Sequence, residues 1–108
     1  MKKYLLSEMK NGWFIGDFEP TLYKTTDCEV AVKEYKKGDY EIKHFHKVAN
    51  EYTLIVKGKV RMFDKEFGEG DIILVEPGET TDFEALEDTI NVVVKIPGAK
   101  NDKYIVEE

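Results

Sequence analysis

The sequence predicts a single all-β domain, a small antiparallel β-barrel or sandwich. Three observations carry this. Apolar and polar residues alternate with a period of two rather than 3.6. Val, Ile, Thr, Tyr and Phe dominate the alternating runs, as strands prefer. Glycines and prolines fall between the runs, where turns need a positive or a fixed φ. In chain order, Met1 to Met9 reads as at most a short turn of helix. Trp13-Phe14-Ile15-Gly16-Asp17-Phe18 reads as an extra strand or an extended arm. Strands are then expected at Glu29 to Tyr35, Glu41 to His46, Glu51 to Lys57, Val60 to Phe63, Asp71 to Val75, Asp82 to Leu86 and Thr89 to Ile96. The turns between them are Lys37-Gly38-Asp39, Lys57-Gly58-Lys59, Gly68-Glu69-Gly70-Asp71, Glu76-Pro77-Gly78-Glu79 and Pro97-Gly98.

A chain of 108 residues suits one domain spanning 1–108, with residues 1–25 as its arm or extra strand. With 42% hydrophobic and 35% charged residues it reads as a globular chain with a heavily charged surface, and composition excludes disorder. The longest apolar runs are a few residues, against about 20 needed for a membrane helix, so no membrane partner is expected. A net charge of −6 argues against nucleic acid, which selects electropositive surfaces. Tyr4-Leu5-Leu6 is too short for the apolar core of a signal peptide, and the expected location is cytoplasmic. The single cysteine, Cys28, cannot close an internal disulfide and reads as packing rather than as a nucleophile.

The chemistry concentrates in one segment. The chain has two histidines, His44 and His46, two residues apart. Strand alternation places Tyr40, Ile42, His44 and His46 on one face, and paired imidazoles on one face suit a transition metal. Glu51, Thr53 and Ile55 share a face of the next strand. If Lys47 to Asn50 turns the chain, Glu51 comes opposite the histidines. The alternative is that all three are solvated polar residues near strand ends.

Gly38, His44, His46, Glu51 and Gly58 form the pattern G-x5-H-x-H-x4-E-x6-G, which resembles the first motif of the cupin superfamily at every position. The resemblance implies a jelly-roll β-barrel in which His44, His46 and Glu51 bind a divalent metal and the glycines mark turns. The second cupin motif, G-x5-P-x-G-x2-H-x3-N, is matched in part. Gly70 and Gly78 are in register, but Glu76 stands at the proline position, Thr81 at the histidine and Ala85 at the asparagine. A site of two histidines and one carboxylate leaves coordination positions open, with Thr81, Tyr40, Thr53 and Phe83 as lining candidates. Asp82 is expected to point away from the face that Thr81 and Phe83 share.

With no cysteine in the set, Fe, Mn, Ni and Zn all suit it. The resemblance implies action on a small polar metabolite, a sugar or keto-acid, as isomerase, epimerase, lyase or small dioxygenase. The alternatives are a noncatalytic binding module and a metal-free cupin. Glu51, Glu34, Tyr40 and Tyr52 are the general-base candidates. The aromatic arm suggests a homodimer in which it adds a strand to the partner's sheet.

Overall fold

The computed structural model describes residues 1–106. Ten strands follow one short 3-10 turn at Leu6–Glu8. They are β1 Trp13–Ile15, β2 Glu29–Tyr35, β3 Tyr40–Phe45, β4 Asn50–Lys57, β5 Lys59–Met62, β6 Lys65–Gly68, β7 Ile72–Val75, β8 Thr81–Ala85, β9 Thr89–Ile96 and β10 Tyr104–Ile105. Two five-stranded sheets result, in the orders β1-β2-β9-β4-β7 and β10-β3-β8-β5-β6. Every strand pair is antiparallel. The inner faces of the two sheets enclose one interior. Ile55, Val60, Met62, Ile73, Val75, Phe83 and Ala85 form its apolar core, with Tyr35, Phe63 and Phe67 packed against it. Each large apolar side chain buried there stabilises the fold by roughly 1.5–3 kcal/mol.

All seven strands expected downstream of the arm are present, two with the expected ends and five with ends shifted by one residue. The extra strand is present as β1, which pairs with the chain's own β2. Two short strands, β6 and β10, have no counterpart in the sequence reading. β6 was obscured by its turn. Phe63 and Asp64 both take left-handed φ, 51° and 58°, which closes a two-residue hairpin between β5 and β6. Hairpins of this type usually advertise themselves with Asn-Gly, and a Phe there is an outlier. The Phe63 N–H donates to Thr81 Oγ1 at 2.8 Å, which anchors the strained turn from β8.

Gly58 is the one motif glycine whose side-chain space is closed. At φ 99°, a Cβ would overlap Thr89 and the Asp88 carbonyl, so the β4–β5 turn can close over β9 only with glycine there.

The segment between β3 and β4 is held from the chain's far end. The buried carboxylate of Asp102 accepts N–H bonds from Lys47 (2.9 Å), Val48 (3.1 Å) and Ala49 (3.0 Å). Burial pushes this carboxyl up, but the three backbone donors outweigh it and hold it below the usual carboxylate range. A carboxylate with a depressed folded pKa stabilises above its unfolded value and loses that contribution as pH falls through the folded value. Asp102→Ala is therefore expected to destabilise by about 2–4 kcal/mol at pH 7, since it orphans three donors. The cost measured by urea unfolding should shrink on acidification below about pH 4. A pH-independent cost would show that the charge plays no part.

Candidate metal centre

Inward positions of the two sheets are apolar over most of their length and polar at one end. There His44, His46, Glu51, Thr53, Thr81 and Asn91 line a cavity of about 40 Å³, together with Tyr35, Glu41, Met62, Val75, Asp82 and Phe83. The volume is enough for about three waters.

The histidines reach it through a bulge. Glu41 pairs with Phe83 and His44 with Thr81, so three steps on β3 oppose two on β8. The extra residue reverses the alternation. Glu41 faces inward before the irregularity, and His44 and His46 face inward after it. Tyr40 and Ile42, expected on the histidine face, instead point to solvent at 56% and 54% exposure. Tyr40 is therefore not a lining residue; its hydroxyl donates to Asp82 Oδ2 at 2.8 Å on the outside. Two further base candidates also face away. Glu34 is exposed, and Tyr52 lies on the outer face of its sheet. Asp82, expected to point away, does so toward Tyr40, but it still contributes to the rim of the cavity.

Each candidate ligand has a distinct environment. The His44 Nδ1 lies 2.9 Å from the Ile42 carbonyl, which can only accept, so Nδ1 carries the proton and Nε2 keeps its lone pair. His46 is buried at 2% exposure. Burial, helped by the Lys95 and His44 charges, lowers its pKa to about 4, so the ring is neutral at pH 7. Its Nδ1 is 3.5 Å from Glu51 Oε2 but lacks hydrogen-bond geometry and has no partner. Burial raises the Glu51 carboxyl, opposed by Lys95 and His44. The rings of His44 and His46 meet edge to face, 5.5 Å between centroids.

In chemistry this donor set fits a divalent ion: two imidazoles, His46 buried and neutral and His44 with its Nδ1 turned to a backbone carbonyl, one carboxylate and one orphaned buried nitrogen. In position the set is not converged, because among the described residues no three His, Cys, Asp or Glu side chains lie close enough together to hold an ion as they stand.

Thr81 faces the cavity from β8 opposite His44, as the partial second motif implied. Its hydroxyl is already committed, accepting from the Phe63 N–H and donating to the Asp82 carbonyl at 2.7 Å. Thr53 and Phe83 line the cavity as expected, and Phe83 packs on Tyr35 with centroids 4.6 Å apart. The sequence reading missed Asn91, Glu41 and Tyr35. Asn91 is 1% exposed, and its Oδ1 has no partner. Its signal was present as the one polar residue in the run Ile90 to Val94.

No protein-family model matches the chain, and no curated protein matches it. Solved structures do match. An uncharacterized conserved protein with a double-stranded β-helix domain from Klebsiella pneumoniae is 18% identical with a TM-score of 0.73, covering 99% of this chain and 93% of that one. KdgF from Halomonas sp. is 18% identical with a TM-score of 0.64, covering 71% and 74%. Oxalate decarboxylase from Bacillus subtilis, a protein with Mn(II) centres, is 21% identical with a TM-score of 0.63; this chain matches a quarter of its length, 25%, over 76% of its own. The fold is therefore the double-stranded β-helix, two antiparallel sheets packed face to face.

Thr81→Val keeps the shape and removes the hydroxyl. It should cost about 1–3 kcal/mol in urea unfolding, because the Phe63 N–H loses its acceptor. A neutral result would mean that the β5–β6 turn does not rest on this bond.

Proposed function

We propose that the chain is a metal-binding cupin that takes a small polar metabolite into this cavity, with His44, His46 and Glu51 as the metal ligands. The observation that carries the reading is the buried, neutral His46 ring with an unpartnered Nδ1 facing the Glu51 carboxylate. Orphaned buried polar atoms are costly, and a bound ion removes that cost. Fe, Mn, Ni and Zn all suit the donor set. A bound divalent ion supplies Lewis acidity, polarising a carbonyl or enediol oxygen as isomerase, epimerase or lyase chemistry requires. Of the chain's own groups, Glu41 lines the cavity without being a ligand and is the candidate to move a proton. Tyr35 is not, since burial raises its phenol far above neutral pH. The neighbour with Mn(II) centres, and the DMSP lyase DddQ from Ruegeria pomeroyi at 19% identity and TM-score 0.65, support a metabolite-acting role for this fold.

Metal analysis tests the reading. Wild-type protein loaded with Mn(II) or Zn(II) should bind one ion per chain, and His44→Ala with His46→Gln should weaken binding by at least about a hundredfold. Thr81→Val should leave affinity unchanged, because its hydroxyl is bonded to the backbone. Full stoichiometry in the double variant, with fold retained by circular dichroism, would refute the ligand assignment.

The homodimer reading moves from the arm to a sheet face. β1 is used within the chain, whereas the outer face of the first sheet is apolar and open. Val30 and Val32 on β2, Val92 and Val94 on β9, Tyr52 and Leu54 on β4, and Ile72 and Leu74 on β7 stand in register across four strands. Ile72 is 67% exposed, and Tyr52 and Leu74 are each 40% exposed. By strand spacing the eight residues cover roughly 260 Å². Two copies face to face would bury roughly 520 Å² through these residues alone, which is the range of weak, transient contacts. The expected assembly is a weak dimer whose mass by light scattering rises with concentration and which Leu54→Lys returns to monomer. A strictly monomeric protein at high micromolar concentration would sink it.

A further inference from the structure

Three lysines, Lys33, Lys95 and Lys103, lie outside the cavity lining but act electrostatically on its Glu51 or His46, in a chain whose net charge is −6. Lys33 on β2 pairs with Asn91, and Lys95 on β9 pairs with Glu51 and Glu29. Both are inward positions of strands whose neighbouring inward residues, Ala31, Asn91, Val93 and Thr53, are buried. Lys33 and Lys95 stand over the ring of Trp13, 5.7 and 5.1 Å from its centroid. Among the described residues neither ammonium has a carboxylate within ion-pair distance. Lys33 spends one bond on the Asn11 carbonyl at 3.1 Å. Its pKa is lowered by burial and by the charges of Lys103 and Lys95, against the pull of Glu41 and Glu51. Lys95 in turn acts on His46 and Glu51. Lysines and cavity thus share one electrostatic neighbourhood.

Partly desolvated cations without a counter-ion are costly. Beside them lies a second unmet requirement, the buried Asn91 Oδ1 without a donor. An anionic group would offset the first and an adjacent hydroxyl the second. We propose that Lys33 and Lys95 form an anion-binding subsite beside the cavity, across the sheet from Asn91 and Glu51, which takes the carboxylate of a small hydroxy acid while Asn91 accepts a bond from its hydroxyl. Trp13 braces the two lysines from below by cation–π contact. The small cavity favours a two- or three-carbon acid over a sugar. The inference rests on the reading of the cavity as a small-molecule site and deepens it by naming the substrate class. It does not require the metal.

Trp13 is the only tryptophan, so its fluorescence reports on the lysines above it. Lactate and its uncharged counterpart lactamide are titrated into the full chain, with and without Mn(II), and followed by fluorescence and by calorimetry. Lactate should give a saturable change that weakens with salt, and lactamide none. Lys33→Gln and Lys95→Gln should each weaken lactate by about tenfold while metal stoichiometry and circular dichroism stay unchanged. Calorimetry keeps the variants readable if losing a lysine itself alters the fluorescence. Equal binding of lactate and lactamide, or undiminished lactate affinity in the double variant, would overturn the subsite. Inorganic phosphate binding more tightly than lactate would overturn the carboxylate assignment. Metal bound normally with no lactate response defeats this inference alone. A lactate response without metal binding leaves it standing and defeats the metal reading.

Discussion

The two sheets share one interior, and every polar side chain turned into it must find its partner there. Most of the architecture near the cavity follows from that constraint. Thr81 meets it by bonding to the backbone on both sides, and in doing so holds the left-handed Phe63 turn. Asp102 meets it by collecting three N–H donors from the segment between His46 and Glu51. That segment decides whether the imidazole and the carboxylate face each other, so a residue near the chain's far end positions a site built from its middle. Only the His46 Nδ1 and the Asn91 Oδ1 are left unmet among the described residues, and both lie in the same cavity. In a fold that satisfies its other buried side chains, that coincidence is what the proposed site rests on.

The sheets were legible in the sequence because alternation is a direct consequence of two-layer packing. β2 and β9 run over the residues expected, since each is long and rich in Val and Ile. β6 and β10, of four and two residues, carry too few alternations to register. At the site, spacing located His44, His46 and Glu51, and the cavity gathers all three. What spacing could not show was the irregularity between Glu41 and His44. Nothing in Glu41-Ile42-Lys43-His44 marks a bulge by composition, because a bulge depends on how many residues the partner strand offers opposite. Strict alternation therefore placed Tyr40 inside and Glu41 outside, the reverse of the structure. Asn91 was hidden differently: an apolar run with one polar residue reads as a buried strand with a blemish, whereas the polar residue is the informative one.

The same run explains the outer face. Within Ile90 to Val94 the outward residues Ile90, Val92 and Val94 are all apolar, a pattern that antiparallel sheets with one solvated face do not need. β9 sits centrally in its sheet, between β2 and β4, so its outer side chains lie at the middle of the face and not at an edge. Their register with Val30, Val32, Tyr52, Leu54, Ile72 and Leu74 makes a surface without a charged residue, in a chain of which 35% is charged. Such a surface is too small for an obligate pairing.

Lys95 links the two halves of the functional argument. It is paired across the sheet with Glu51, and it opposes the rise that burial imposes on the Glu51 carboxyl. The same positive charge disfavours protonation of His46. One lysine thus biases the carboxylate toward its ionised form and the imidazole toward its neutral form, and these are the two forms a metal requires of them. The bias has a cost. A divalent cation entering the cavity meets that lysine's repulsion, and Lys33 and Lys103 add to it. An anionic ligand beside the cavity offsets this repulsion directly. Metal and anion are therefore expected to bind with positive coupling, each relieving the charge that opposes the other.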